Sequence, residues 1–239
     1  MRFADSASAS DARDSAPPHA SLVPIRDDVP FEVAAVTGCA VATGVGAVIN
    51  TARVSAGSSA AVIGCGGVGL SMIMGCRLAG CHPIVAVDVK GNKLELARSF
   101  GATDVVDAGR TDAVEALRAL TGGGPDYAFD SVGAAATIVQ ALESVRPGGT
   151  AVIAGLHAAL SQVPISAATL VLRSKRLLGS FAGSGRPRLD LPRLLALYKA
   201  GRLPLDRLIT KRYSLAELSR AFEDMEAGVV ARGVIVFEG

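Results

Sequence analysis

The chain has 239 residues, half of them hydrophobic, enough to bury a substantial core in one domain or in one domain with an appendage. Its 24 basic residues stand against 22 acidic ones, and a net charge of +2 excludes any electrostatic case for nucleic acid or an anionic membrane as partner, leaving a small molecule. Four cysteines without framework spacing argue against a disulfide scaffold and for a reducing, cytoplasmic setting.

Residues 1–20 are biased to Ser, Ala and Asp, contain acids and lack the apolar centre of a secretory signal, so they read as a disordered arm. Residues 21–38 read as a remnant strand and helix of a second domain. Ser21 to Ile25 has an apolar edge-strand look, with Pro24 tolerated only where no ladder bond is needed. Pro30 opens a helical stretch, small and apolar residues recur at helical spacing over 41–54, and Ala56-Gly57-Ser58 ends it. Residues 54–76 carry no charge, yet their glycines and serines divide them into turn, strand, loop and helix start rather than a membrane span.

The most informative stretch follows. A short apolar strand at Ala60 to Ile63 runs straight into Gly64-Cys65-Gly66-Gly67-Val68-Gly69, a Gly-x-Gly-x-x-Gly turn opening a helix. Gly64 permits the tight turn, Gly66 lets the main chain approach a pyrophosphate, and Gly69 lets the helix pack on the strand. The helix start offers free amides and a positive dipole end to that phosphate. A second apolar strand ends at Asp88, placed to accept hydrogen bonds from an adenosine ribose diol. A carboxylate there repels a 2′-phosphate, which favours NAD over NADP.

Helix and strand then alternate: a helix capped by Asn92 and ended by Gly101, a strand at 104–107, a helix from Thr111 or Asp112 to Leu120, a strand at 127–130, a helix at 134–145, and strands at 150–154 and 177–182. The fold class is α/β, a doubly wound parallel sheet of about six strands, a Rossmann fold over 39–182 with a C-terminal remnant of a second domain at 183–239. That tail reads as an amphipathic helix at 189–199, a strand at 208–213, a capping box at Ser214 to Glu217 and a last apolar strand at 233–237. The strands at 22–25 and 234–237 are expected to have unpartnered apolar faces, and hence to promote self-association.

Cys65, Cys76 and Cys81 read as core thiols, although Cys65 sits at a helix N-terminus that would lower its pKa and make it reactive if exposed. His82 precedes the second strand, away from the carboxyl ends, and reads as a surface residue. His157, after the fifth, is an ordinary loop histidine or else a contact to a carboxamide or substrate. Cys39 is a metal ligand or a small buried hydrophobe.

Several of these segments together resemble zinc-dependent medium-chain alcohol dehydrogenases: Gly38-Cys39 through Thr43-Gly44, the glycine turn, Asp88 with Lys93, Phe100 to Thr103, Lys199 to Gly201 with Pro204-Leu205, and Ala231 to Val234. The likeness covers about residues 21–239. It implies that Cys39 occupies the place of one cysteine ligand of a catalytic zinc and that Thr43 packs on the nicotinamide. By the same resemblance Val68 lies behind the nicotinamide ring, Asp88 and Lys93 on the ribose, Val132 on the adenine side, Ala154, Gly155 and Leu156 beside the carboxamide, and Arg232 on the pyrophosphate. It further implies NAD and zinc as cofactors, an alcohol or aldehyde substrate and a homodimer. Family members carry an N-terminal catalytic domain with the remaining zinc ligands, and nothing before Cys39 matches it. A zinc needs three protein ligands and one open position, so the expected zinc site is incomplete. The expected function is therefore NAD-dependent alcohol dehydrogenase chemistry represented by its dinucleotide-binding part, or else a catalytically silent NAD(H)-binding module or truncated product.

Overall fold

The computed structural model describes residues 2–4, 22–156 and 162–237. It divides into two compact units, one of Met1–Ala42 with Arg186–Gly239 and one of Thr43–Gly185.

In the first unit, β1 (Arg2–Ala4) pairs antiparallel with β2 (Val23–Ile25), placing Pro24 opposite Phe3. Residue alternation sends Val23 and Ile25 inward, where they are 2% and 7% exposed. The expectation that this strand's apolar face lacks a neighbour is thus corrected. Helix α1 (Phe31–Val36) begins after Pro30, whose fixed φ suits the residue preceding a helix. The helical backbone widens into a π-turn at Thr37–Val41, regularises as α2 (Ala42–Gly46), widens again at Ala47–Ala52, and stops at Arg53, whose φ of 51° ends it in the left-handed region. This 22-residue run, Phe31–Ala52, is long and apolar enough to cross a membrane by length and composition, but 61% of its most apolar window is buried inside the protein, as in a core helix.

The second unit holds a six-stranded parallel sheet. Its elements alternate as β3 (Ala60–Ile63), α3 (Gly67–Leu78), β4 (Ile84–Asp88), α4 (Gly91–Phe100), β5 (Asp104–Asp107), α5 (Ala113–Leu120), β6 (Tyr127–Asp130), α6 (Ala135–Ser144), β7 (Thr150–Ile153), α7 (Ala167–Leu172) and β8 (Arg176–Gly179). The sheet order is β5-β4-β3-β6-β7-β8, all neighbours parallel. The central strands are apolar up to the acids that end β4 and β6, because both faces are covered. Ala61, Ile63, Val85, Val87, Ala128 and Ala151 pack with Leu117 of α5 and Leu142 of α6, and α3 and α4 pack on the strands as a pair of their own. Register is even across the centre: Ile63 pairs with both Val87 and Asp130, so three carboxyl ends finish level. Two caps differ in kind. Asp112 accepts the Glu115 N–H at 3.0 Å and caps α5. Asn92 does not cap α4: the cap position is Lys90 without a side-chain bond, and Asn92 falls inside the first turn.

Returning to the first unit, α8 (Pro187–Lys199) leads to β9 (Ile209–Tyr213), α9 (Leu218–Glu226) and β10 (Arg232–Ile235). Strands β9 and β10 form a parallel pair in which Val234 is buried, so the expected unpartnered face is corrected there, whereas Val236 and Phe237 beyond the strand's end are exposed. The Ser214 capping box is present, with the Ser214 N–H donating to Glu217 at 3.0 Å. Arg212 forks onto Glu32 and Lys199 reaches Asp28 at 3.3 Å, tying the tail to the opening segment of the same unit.

Candidate functional site

The sheet reverses its winding between β3 and β6, and at such a switch point the carboxyl ends leave a crevice for a ligand. The glycine turn lies there, and its three key glycines are constrained differently. Gly64 has φ +90°, and a Cβ on it would stand 2.6 Å from Ser131 Oγ and 2.7 Å from a Val132 methyl. A Cβ on Gly69 would lie 1.8 Å from the Gly64 carbonyl oxygen, so that glycine sets how closely α3 meets β3. Gly66, the residue before α3, has an extended backbone that any residue adopts (φ −78°, ψ −172°), and a Cβ there would meet no atom within 4 Å. The protein itself gives no reason for glycine at that position. The first amides of α3 have no intrahelical acceptor, and a phosphate can take the place a Gly66 Cβ would fill.

Asp88 closes the other side of this turn. Its Oδ2 accepts the Cys65 N–H at 2.8 Å and its Oδ1 accepts the Lys90 N–H at 3.0 Å, so the carboxylate is oriented before any ligand arrives. Each oxygen keeps acceptor capacity for a diol. Cys65 is 1% exposed, its Sγ aimed at the Val87 carbonyl at 3.6 Å. Cys65 is thus the core thiol expected, and the condition for reactivity is not met: burial, with Asp88 adding and Lys93 opposing, pushes its pKa up to about 12. The helix dipole loses to desolvation because the side chain turns into the core. Lys93, half-buried in the first turn of α4, shares that electrostatic neighbourhood with Asp88.

A residue the sequence reading passed over organises the rest. Asp130 at the end of β6 is fully buried, and its carboxylate accepts the Gly133 N–H at 2.8 Å and the Val132 N–H at 3.3 Å. Its backbone carbonyl accepts the N–H groups of Ala154 and Gly155, both at 3.0 Å. Burial raises its pKa, opposed by the Thr137 hydroxyl and the two amides. One residue thereby holds the Val132 loop and the Ala154 to Leu156 loop together. The two backbones touch closely enough that a Cβ on Gly155 would sit 2.2 Å from the Gly133 nitrogen. An acid closing the fourth strand as Asp88 closes the second is the signal that could have found it. His157 lies outside the described residues.

Thr43 reaches the same end through Gly44: a Cβ on Gly44 would lie 2.4 Å from the Val68 carbonyl oxygen, so this helix sits directly on the start of α3. Cys39 and Arg232 belong to the first unit, where they are brought together. Cys39 is exposed. Arg232 Nε is buried without a hydrogen-bond partner, and burial pulls its pKa down while the Cys39 sulfur opposes. Among the described residues no group of three or more His, Cys, Asp or Glu side chains could hold a metal ion. These residues fit a dinucleotide at the glycine turn and do not fit a catalytic zinc, which needs three protein donors.

The family model described as zinc-binding dehydrogenase matches residues 67–200, more than half of the chain. The chain is 37% identical over 220 residues to alcohol dehydrogenase-like 5 of Arabidopsis thaliana, covering 90% of this chain and 56% of that protein. It is 37% identical over 229 residues to alcohol dehydrogenase class-3 of Cereibacter sphaeroides, covering 92% and 61%. The crystal structure of benzyl alcohol dehydrogenase from Acinetobacter calcoaceticus superposes with a TM-score of 0.88 at 32% identity, covering 91% of this chain and 60% of that one. The chain thus spans about 60% of the length of relatives it matches nearly end to end. With the sheet order, the glycine turn and the family match in agreement, this chain belongs to the zinc-binding dehydrogenase family.

Proposed function

We propose that the chain is the dinucleotide-binding part of an NAD-dependent alcohol dehydrogenase-type oxidoreductase, whose substrate is a small alcohol or aldehyde. One observation carries the reading: Gly64 and Gly69 are forced by protein contacts, whereas Gly66 between them opens onto empty space at the start of α3. The α3 amides would bind the pyrophosphate, Asp88 and Lys93 the ribose, and Val132 would lie on the adenine side. Thr43, Val68 and Ala154 to Leu156 would hold the nicotinamide end. NAD, when bound, supplies the hydride acceptor. Asp88 selects against a 2′-phosphate by charge.

The absence of a three-donor metal cluster among the described residues favours a second reading, in which the 239-residue chain binds NAD(H) but is catalytically silent by itself. We place the protein in the cytoplasm, supported by four free cysteines, and as a homodimer, supported by the outer edge of β8 and exposed apolar side chains around it.

Titration calorimetry with NAD and NADP tests the binding role; saturable binding with NAD preferred is expected, and no saturation with either refutes it. At 100 times its dissociation constant NAD should add about 2.7 kcal/mol to the unfolding free energy. Equilibration with zinc, metal analysis and NADH absorbance with a panel of alcohols separate the two readings. Binding without turnover supports the silent module, and a clear alcohol-dependent rate overturns it.

A further inference from the structure

The far end of α3 brings two thiols together. The helix closes with the Cys81 N–H donating to the Cys76 carbonyl at 2.9 Å and the Gly80 N–H to the Arg77 carbonyl at 3.1 Å, with Gly80 at φ +77°. This double bond pattern around a left-handed glycine is a Schellman cap, which sets the side chain three positions inside the cap against the one two positions beyond it. Proteins usually fill that contact with two apolar groups. Here both are cysteines, free and in side-chain hydrogen-bond contact.

The surroundings hold the pair in register. Gly80 and His82, either side of Cys81, are fastened to the segment before β3 by the Gly57 N–H to the Gly80 carbonyl at 2.8 Å and the His82 N–H to the Ser58 carbonyl at 2.9 Å. The two sulfurs are not equivalent. Cys76 is fully buried and donates its S–H, so its thiol is pushed well above the ordinary range. Cys81 is 8% exposed and accepts that bond, which lowers its pKa against burial and the nearby Asp126 carboxylate. An oxidant from solvent meets Cys81 first, with Cys76 behind it.

We propose that Cys81 and Cys76 form a reversible thiol oxidation site, in which peroxide oxidises Cys81 and Cys76 resolves the product as a disulfide. The Cys81 thiolate attacks one peroxide oxygen, the O–O bond breaks, and hydroxide leaves to become water, giving a sulfenic acid. The Cys76 sulfur then attacks the sulfenic sulfur. The S–O bond breaks, a second water leaves with the Cys76 proton, and the S–S bond forms. Two thiols lose two electrons, and one peroxide is reduced to two waters. Because the partner thiol is already in contact, the resolving step outruns further oxidation of Cys81 to the irreversible sulfinic acid.

The full chain is treated with hydrogen peroxide, its remaining thiols are alkylated, and trypsin is applied without reduction. Cleavage after Arg77 separates the two cysteines, so residues 78–90 should appear joined to residues 54–77, lighter by two hydrogens and released by dithiothreitol. The link should persist in Cys65→Ser and vanish in Cys76→Ala, where Cys81 sulfinic acid should accumulate instead. A Cys81 that stays alkylatable while exposed Cys39 is oxidised overturns the proposal. So does a link lost in Cys65→Ser but kept in Cys76→Ala, or sulfinic acid at Cys81 in the unmutated chain without any linked peptide. Circular dichroism of each variant verifies that it is folded.

Discussion

Gly66→Ala separates a glycine kept for the fold from one kept for a ligand. The backbone there is extended, and the added methyl would meet no protein atom within 4 Å. The folded chain should accept it without strain, and a loss of unfolded-state freedom should raise stability by about 0.4–1 kcal/mol. The same methyl occupies the space where a pyrophosphate would meet the α3 amides. Displacing it from one charge-assisted amide bond costs about 1.5–3 kcal/mol, which is about 10- to 150-fold in dissociation constant. Gly69→Ala is the control: its Cβ would start 1.8 Å from the Gly64 carbonyl oxygen, so α3 must shift away from β3. Such overpacking costs about 1–3 kcal/mol of stability as well as binding. Differential scanning calorimetry and NAD titration on both variants read the outcome. NAD affinity unchanged in Gly66→Ala, or Gly66→Ala melting well below the unmutated chain, refutes the reasoning.

Asp88→Ala should weaken NAD and narrow its advantage over NADP, because both oriented oxygens and the repelling charge are lost; an unchanged preference in competition titration clears Asp88 of the ribose role. Asp126 holds the opposite end of the sheet through the Ser59 N–H and hydroxyl, each at 2.8 Å, and Arg146 Nε at 2.7 Å. Burial would raise its pKa, but the Ser59 and Arg146 bonds prevail and lower it from the ordinary 3.8. With a depressed carboxyl, the stabilisation is complete above the unfolded value and is lost as pH falls through the folded one. Asp126→Asn should therefore cost about 1–3 kcal/mol at neutral pH and flatten the acid limb of the stability curve, as urea melts at several pH values would record. Phe181, 93% exposed beyond β8, should contribute to self-association, so Phe181→Glu is expected to shift sedimentation toward the monomer; identical profiles would remove this patch from the interface.

Much of the second unit was legible because its signals are local. An apolar run bounded by glycines reads as a buried strand wherever it sits, and the observed β3 to α3 turn falls on the residues expected. Asp112 and Ser214 cap as read because a capping side chain reaches only its own first turn. Asn92 was misplaced because the helix starts earlier than its capping residue type suggests: Lys90 takes the cap position and Asn92 falls second in the helix.

The sequence by itself determined the alternation of strands and helices, the glycine turn and the acid that answers it. These follow from backbone sterics and from periodicity over a few residues. Only the tertiary structure decided the rest. It decided that desolvation overrides the helix dipole at Cys65, and made Asp130 the tie between two loops. It also gave Val23, Ile25 and Val234 neighbours within their own unit. Each of these depends on which surfaces meet, and burial and contact between distant segments are properties of the packed chain, not of any stretch of it.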